Sequence, residues 1–294
     1  MSQDSGDVVN ATVRRWQLTE TLRQLRERAG LTIEAAAEQL RGQAGKWSRS
    51  KLGRVETRGQ GVRTREVEQL LDLYLVTDES LRTWLLDLAA TAHERGYWRA
   101  IRKDLPEDFH DFLNVEAALV TMRQFETMLI PGLLQTPDFT RALITDGAPG
   151  LAPEVVERRV LARMARQQIL TRVSPLEYHV IIEEAILERP VGTPKIMRNQ
   201  LRRLIEDAAA DHITLQVLPK RVGASPAMDG PFSVLTLPEP IPDFGYAEGH
   251  GGAVYIEDRD KVRACILNWA VLAERALSQA ASVDLITEVV KAYE

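Results

Sequence analysis

In the first third of the chain, hydrophobic residues recur every three or four positions, the spacing of amphipathic helices. Leu18, Leu22, Leu25 and Ala29 form the first stripe, in a helix expected over 12–29 and stopped by Gly30. Thr32 reads as the N-cap of a second helix, with Glu34 in its first turn and Ile33, Ala37 and Leu40 facing inward. A glycine-punctuated link over 41–46 follows. Ser48 then reads as the cap of a third helix that buries Leu52 and Val55 and leaves Arg49, Ser50, Lys51 and Arg54 outside. Trp47 is expected to staple its entry. A fourth helix over 64–75 carries Val67, Leu70, Leu71 and Tyr74 on one face. A fifth, capped by Thr77, is expected to bury Leu81, Trp84, Leu85 and Leu88. Two short helices joined by a turn, the second opening on basic and hydroxyl residues, are the layout of a helix-turn-helix.

The periodicity breaks at 96–111, which contains a proline and reads as a domain junction. Helices are expected at 112–125, 136–144, 153–171, 194–210, 261–277 and 282–293. Short strand signals bounded by Pro, Gly and Asp occur at 178–182, 213–218, 232–237, 245–247 and 253–256. The first two are separated by a helix, so they are either parallel neighbours or separated by another strand. The rest have short connections and read as antiparallel. The pattern is mainly α, with a five-helix N-terminal domain that holds the helix-turn-helix. An α+β C-terminal domain follows, with a small mixed or antiparallel sheet and most helices on one side. The boundaries implied are a disordered tail at 1–11, a helix-turn-helix domain at 12–95, a junction at 96–111 and a regulatory domain at 112–294.

Composition narrows the function classes. A chain of 294 residues with 45% hydrophobic and 27% charged content is that of a two-domain globular protein. It has no apolar run of membrane-spanning length, no signal-peptide pattern and a single cysteine, Cys265. Those features lead to an expected cytoplasmic, nucleoid-associated location. The net charge of −5 argues against nucleic acid only on average. Residues 41–65 hold eight basic residues and one acidic residue, a +7 segment on an acidic body. Arginine suits guanine because its fork spans O6 and N7. Arg49 lies at the helix start, where base edges are read, and Arg54 is expected one turn on along the same side. Lys51, Arg58, Arg63 and Arg65 read as phosphate contacts, joined by Ser48 and by the amide at the Thr32 helix start.

Several separated segments, in order, resemble a known family. They are LRQLRERAGLT (22–32), WSRSKLGRVE (47–56), IPGLLQTPDF (130–139), VERRVLARMARQQIL (156–170), ERPVG (188–192), VLP (217–219) and GPFSVL (230–235). Together they resemble the WhiJ-like, Xre-type regulators of actinomycetes, which join a helix-turn-helix to a C-terminal domain of unknown function. The resemblance implies a DNA-binding repressor or developmental regulator acting on a double-stranded operator. It also implies a small acidic partner protein of the BldB type. It makes Arg49, Ser50 and Arg54 the base readers, and Arg26 and Glu56 a structural pair. Two departures stand out: the link before Trp47 is longer than the usual tight turn, and Gly53 occupies a mid-helix position where a polar residue is common.

Catalysis finds little footing. The five histidines make no HExxH, and GxSxG, P-loop and GxGxxG patterns are absent. Glu183 and Glu184, taken as a strand end, would point to opposite faces. Cys265 reads as core. The expectation is therefore no enzyme activity, no cofactor and no metal. Partner or effector binding is placed on two loops, through Val222, Pro226, Met228 and Phe232 and through Glu248, His250 and Tyr255. The alternatives for this domain are a small-molecule effector site, a purely structural or dimerising role and, last in order, an enzyme to which the DNA-binding domain is an appendage. A homodimer is expected, because operators of helix-turn-helix proteins usually carry two half-sites.

Overall fold

The computed structural model describes residues 11–42, 46–57, 60–91, 112–113, 115–249 and 252–293. The chain divides into two compact units. One comprises Met1–Arg99, Asn114–Ala118 and Leu237–Pro242; the other comprises Ala100–Leu113, Leu119–Thr236 and Asp243–Glu294. The expected junction at 96–111, the tail residues 1–10 and the link residues 43–45 lie outside the described residues.

The first unit contains helices α1 (Ala11–Arg28), α2 (Ile33–Gln39), α3 (Arg49–Glu56), α4 (Thr64–Leu73) and α5 (Glu79–Thr91). Their apolar stripes converge on one core, in which Leu18, Leu22, Leu40, Leu52, Val55, Leu70 and Leu85 are almost wholly buried. α1 is covered on more than one side. Val13, Trp16, Thr19 and Glu20 are buried with the leucine stripe, whereas Ala29 is exposed. Within this unit the Gln17 amide donates to the Glu239 carbonyl at 3.0 Å, so the segment 237–242 packs on α1. Two expectations fail at α5. Its first turn is capped by Asp78 rather than Thr77, since Asp78 Oδ1 accepts from the amides of Ser80 and Leu81. Trp84 is 37% exposed, because it falls off the stripe set by Leu85 and Leu88.

Two helix ends close with the same hydrogen-bond pattern and different residues. After α1 the Gly30 amide reaches Glu27 O and the Leu31 amide reaches Arg26 O. After α4 the Leu75 amide reaches Asp72 O and the Val76 amide reaches Leu71 O. Both are Schellman ends, which place one residue in the left-handed region. Gly30 takes it at φ 69° and Leu75 at φ 56°. For a residue with a Cβ that conformation costs about 1–2 kcal/mol.

The second unit is built on a six-stranded mixed sheet ordered β3-β2-β1-β4-β5-β6. The strands are β1 (Thr121–Glu126), β2 (Glu177–Glu183), β3 (Ile213–Leu218), β4 (Phe232–Thr236), β5 (Phe244–Gly249) and β6 (Gly252–Ile256). β1, β2 and β3 run parallel; β4, β5 and β6 complete the sheet antiparallel. The crossover after β1 carries α6 (Pro137–Gly147) and α7 (Pro153–Arg166). The one after β2 carries α8 (Glu184–Glu188) and α9 (Pro194–Asp207), and α10 (Arg259–Arg275) and α11 (Gln279–Lys291) close the chain.

The structure differs from the sequence pattern in three places. Residues 121–126, expected inside a helix over 112–125, form the central strand β1. Its buried residues Met122 and Phe125 are three apart, which imitates a helical stripe. Glu184 opens α8 instead of ending a strand. Both faces of the sheet are covered, not mainly one. On β2, Tyr178, Val180 and Ile182 are buried on one face, while Ile181 on the other packs with Phe125, Trp269 and Leu272.

Candidate nucleic-acid interface

α3 is positioned from both ends. Ser48 adopts an extended backbone and its Oγ accepts from the Lys51 amide at 3.1 Å. At the far end Glu56 is gripped by Arg26 of α1, with Nε and Nη2 donating to its two carboxylate oxygens at 2.7 and 2.8 Å. The side chains are 9% and 4% exposed, and Arg26 Nη1 also donates to Leu31 O. The pair therefore fastens α3 to the end of α1, where a charge left alone would be costly.

Lys51 does not sit where the sequence placed it. It was expected outside, as a phosphate contact, yet its side chain is only 12% exposed. It ion-pairs with Glu66 of α4 and lies 4.6 Å over the Trp47 ring, whose Nε1 donates to Gln69. Glu66 also accepts from the Arg63 amide at 2.9 Å. Burial pushes the Glu66 carboxyl up, and the Lys51 and Arg63 hydrogen bonds outweigh it, holding it below its ordinary value. Lys51 thus ties α3 to α4.

The three expected base readers are exposed on α3. Arg54 Nη1 donates to Ser50 Oγ at 2.6 Å and its Nε to Gln60 at 3.2 Å. Arg49 instead ion-pairs with Glu34 at the start of α2. Arg49 and Arg54 are therefore not on one side: five residues turn the helix by about 140° beyond a full turn. Ser50 and Arg54, four apart, share the stripe. The Glu34 carboxyl is held below its ordinary value by hydrogen bonding to its own amide, with Arg49 adding to it. Both partners are largely solvated, 76% and 56% exposed, so this pair is readily exchanged for another anion. Thr32 Oγ1 accepts from the Ala35 amide, so its hydroxyl is committed to the cap, as Ser48 Oγ is. Arg63 and Arg65 are exposed, and neither their guanidinium groups nor that of Arg54 makes a side-chain ion pair among the described residues. Arg58 lies outside the described residues.

The expected loops of the second unit are less open than the sequence suggested. Val222 and Phe232 pack on the core of Phe125, Ile181 and Trp269. Two 3-10 turns, Lys220–Val222 and Pro226–Asp229, shape the segment between them, and Arg275 donates to Ala224 O at 3.2 Å. Pro226 is partly buried and Met228 is 78% exposed. Glu248 accepts from Tyr246 Oη, and Tyr255 packs against Tyr246 at 5.2 Å. His250 lies outside the described residues.

A polar row on the sheet has no signal in the sequence pattern, because it runs through β1, whose residues lack clean alternation. Registered pairing aligns Gln124, Ser233, Tyr246 and Tyr255 on one face. Tyr178 Oη donates to Gln124, and Gln124 Nε2 donates to Glu126 at 2.7 Å. Burial, with Glu248 nearby, pushes the Glu126 carboxyl up to about 7. Phe112 stacks on Tyr246 at 4.4 Å. The motifs at 130–139 and 156–170 serve a different end. Gln135, 2% exposed, bonds Ile130 O, Thr140 and Arg163, while Gln167 bonds the Gln135 carbonyl. They lock the loop before α6 to α7. Burial raises the Cys265 thiol above its ordinary value, which suits packing rather than nucleophilic chemistry.

A family model described as a helix-turn-helix domain matches residues 17–85. A second, described as a domain of unknown function (DUF5753), matches residues 109–288, more than half of the chain. No curated protein and no solved structure matches. Among the described residues, no helix is long and apolar enough to cross a membrane.

Proposed function

The chain belongs to the DUF5753 family and carries a helix-turn-helix domain ahead of it, and from this premise we propose that it is a sequence-specific transcription regulator. In this reading Ser50 and Arg54, on one stripe of α3, and Arg49 beside them touch base edges. Arg63, Arg65 and Arg58 hold phosphates. The observation that carries it is the state of α3: an exposed arginine-bearing face on a helix whose cap, buried ion pair and lysine clasp fix its pose. Preorganised base readers lose little conformational freedom on binding. Regulation by repression, a WhiJ-like developmental role, an actinomycete source and a nucleoid location accompany this reading.

The protein acts as a homodimer, since one α3 reads a single half-site. The second unit serves regulation rather than catalysis, receiving a small acidic protein of the BldB type. Exposed Met228 and Val254 beside the shaped loops support a protein contact. A second reading, a small-molecule effector, is favoured by the row of Gln124, Tyr246 and Glu126, where polar groups converge on a mostly buried face. Selection of duplexes from a random library by the full chain tests the proposal. Enrichment of a sequence with two related half-sites is expected. Equal recovery by wild type and an Arg49→Ala/Arg54→Ala variant would refute it.

A further inference from the structure

Leu75 combines two unfavourable features. It holds the left-handed backbone that Gly30 takes at the equivalent end of α1, and its side chain is 82% exposed. The two hydrogen bonds of the helix end hold the backbone, but among the described residues nothing apolar covers the side chain. Leu75 forms part of the wall of an open cleft of about 550 Å³, lined also by Leu25, Leu31, Leu73 and Val76. Arg28 and Asp78 stand on its rim. Arg28 has no ion-pair partner among the described residues, and Asp78 accepts only from the amides that begin α5.

We propose that this cleft is where a second copy of the chain docks, each protomer seating its Leu75 in the other's cleft. The patch presents knob and hole side by side, which makes it self-complementary under a two-fold axis. Its rim charges agree. A basic or acidic partner would meet one like charge, whereas a two-fold copy sets Arg28 of one protomer against the partner's Asp78. The cleft is lined from α1, the end of α2 and the α4–α5 turn, with no residue of α3. Docking there leaves both reading helices free, so it suits the homodimer of the proposed regulator, on which it rests.

The test is sedimentation of the full chain over a concentration series, with and without a duplex carrying one half-site. Leu75→Gly should weaken dimerisation by about 100-fold or more, because two leucine side chains leave the interface together. At a dilution where both proteins are monomeric, the same change should leave the unfolding midpoint equal or higher, since glycine relieves the left-handed backbone. Misfolding would lower that midpoint, so the two readouts separate loss of interface from loss of fold. Arg28→Glu should weaken the dimer while the chain stays folded. A wild-type chain that remains monomeric, or a dimer indifferent to both substitutions, would overturn the proposal and leave the cleft to another partner. If wild type binds no duplex yet Leu75→Gly dissociates the dimer, the docking surface stands and the regulator reading falls.

Discussion

Arg26 and Glu56 face each other across thirty residues of sequence and form a buried, two-pronged ion pair between the ends of α1 and α3. Removing one partner strands the other without water. Arg26→Ala or Glu56→Ala should therefore destabilise the first unit by about 3–5 kcal/mol. Urea unfolding followed by tryptophan fluorescence measures this. A loss under about 1 kcal/mol would mean that the pair is a bystander, like most surface pairs.

The arginines should divide by role. Arg49→Ala or Arg54→Ala should cost about 1–3 kcal/mol on the selected site and relax base preference there. Arg65→Ala should weaken all duplexes alike and lower the salt slope by about one. Anisotropy titrations on the selected and a scrambled duplex read both effects. Identical behaviour of Arg49→Ala and Arg65→Ala would remove the assignment of Arg49 to base reading.

Gly192 is fixed by crowding as well as by backbone. At φ 63°, an added Cβ would come within 2.9 Å of both the Ala142 Cβ and the Ile196 Cδ1. Gly192→Ala should cost roughly 2–4 kcal/mol. Gly53, which has open space around it, should tolerate alanine and gain helix stability of about 0.5–1 kcal/mol. Thermal melts of the two variants should shift in opposite directions.

Glu126 should impose a pH dependence on the second unit. Its folded pKa is raised to about 7 from 4.5, so the folded chain keeps a proton that the unfolded chain releases between those values. The folded state then binds more protons, and stability falls as pH rises through that window. The contribution is complete below about pH 4.5 and gone above about pH 7. The stability difference between wild type and Glu126→Gln, measured from pH 4.5 to 7.5, should drift against wild type by about 1–3 kcal/mol. A flat difference would show that the carboxyl ionises normally.

What the sequence disclosed follows from where the information lies. α4 was legible because Val67, Leu70, Leu71 and Tyr74 form a local stripe with a polar opposite face. The caps at Thr32 and Ser48 were legible for the same reason, since a cap acts over three residues. β1 was not, because its partners lie more than fifty residues away and TMRQFE has no clean alternation. Lys51 looked like an external cation because Glu66, its partner, is brought to it only by the turn before α4. Leu75 falls inside the helix expected over 64–75, and only its backbone shows that the helix ends before it.

The most direct measurement is the ratio of affinities of the full chain for its selected duplex and a scrambled duplex, at about 0.15 M salt to suppress phosphate-driven binding. A sequence-reading α3 predicts a ratio of about 10³ or more. A ratio near one, with both affinities falling alike as salt rises, would show that the chain holds DNA only through its charge and would contradict the account.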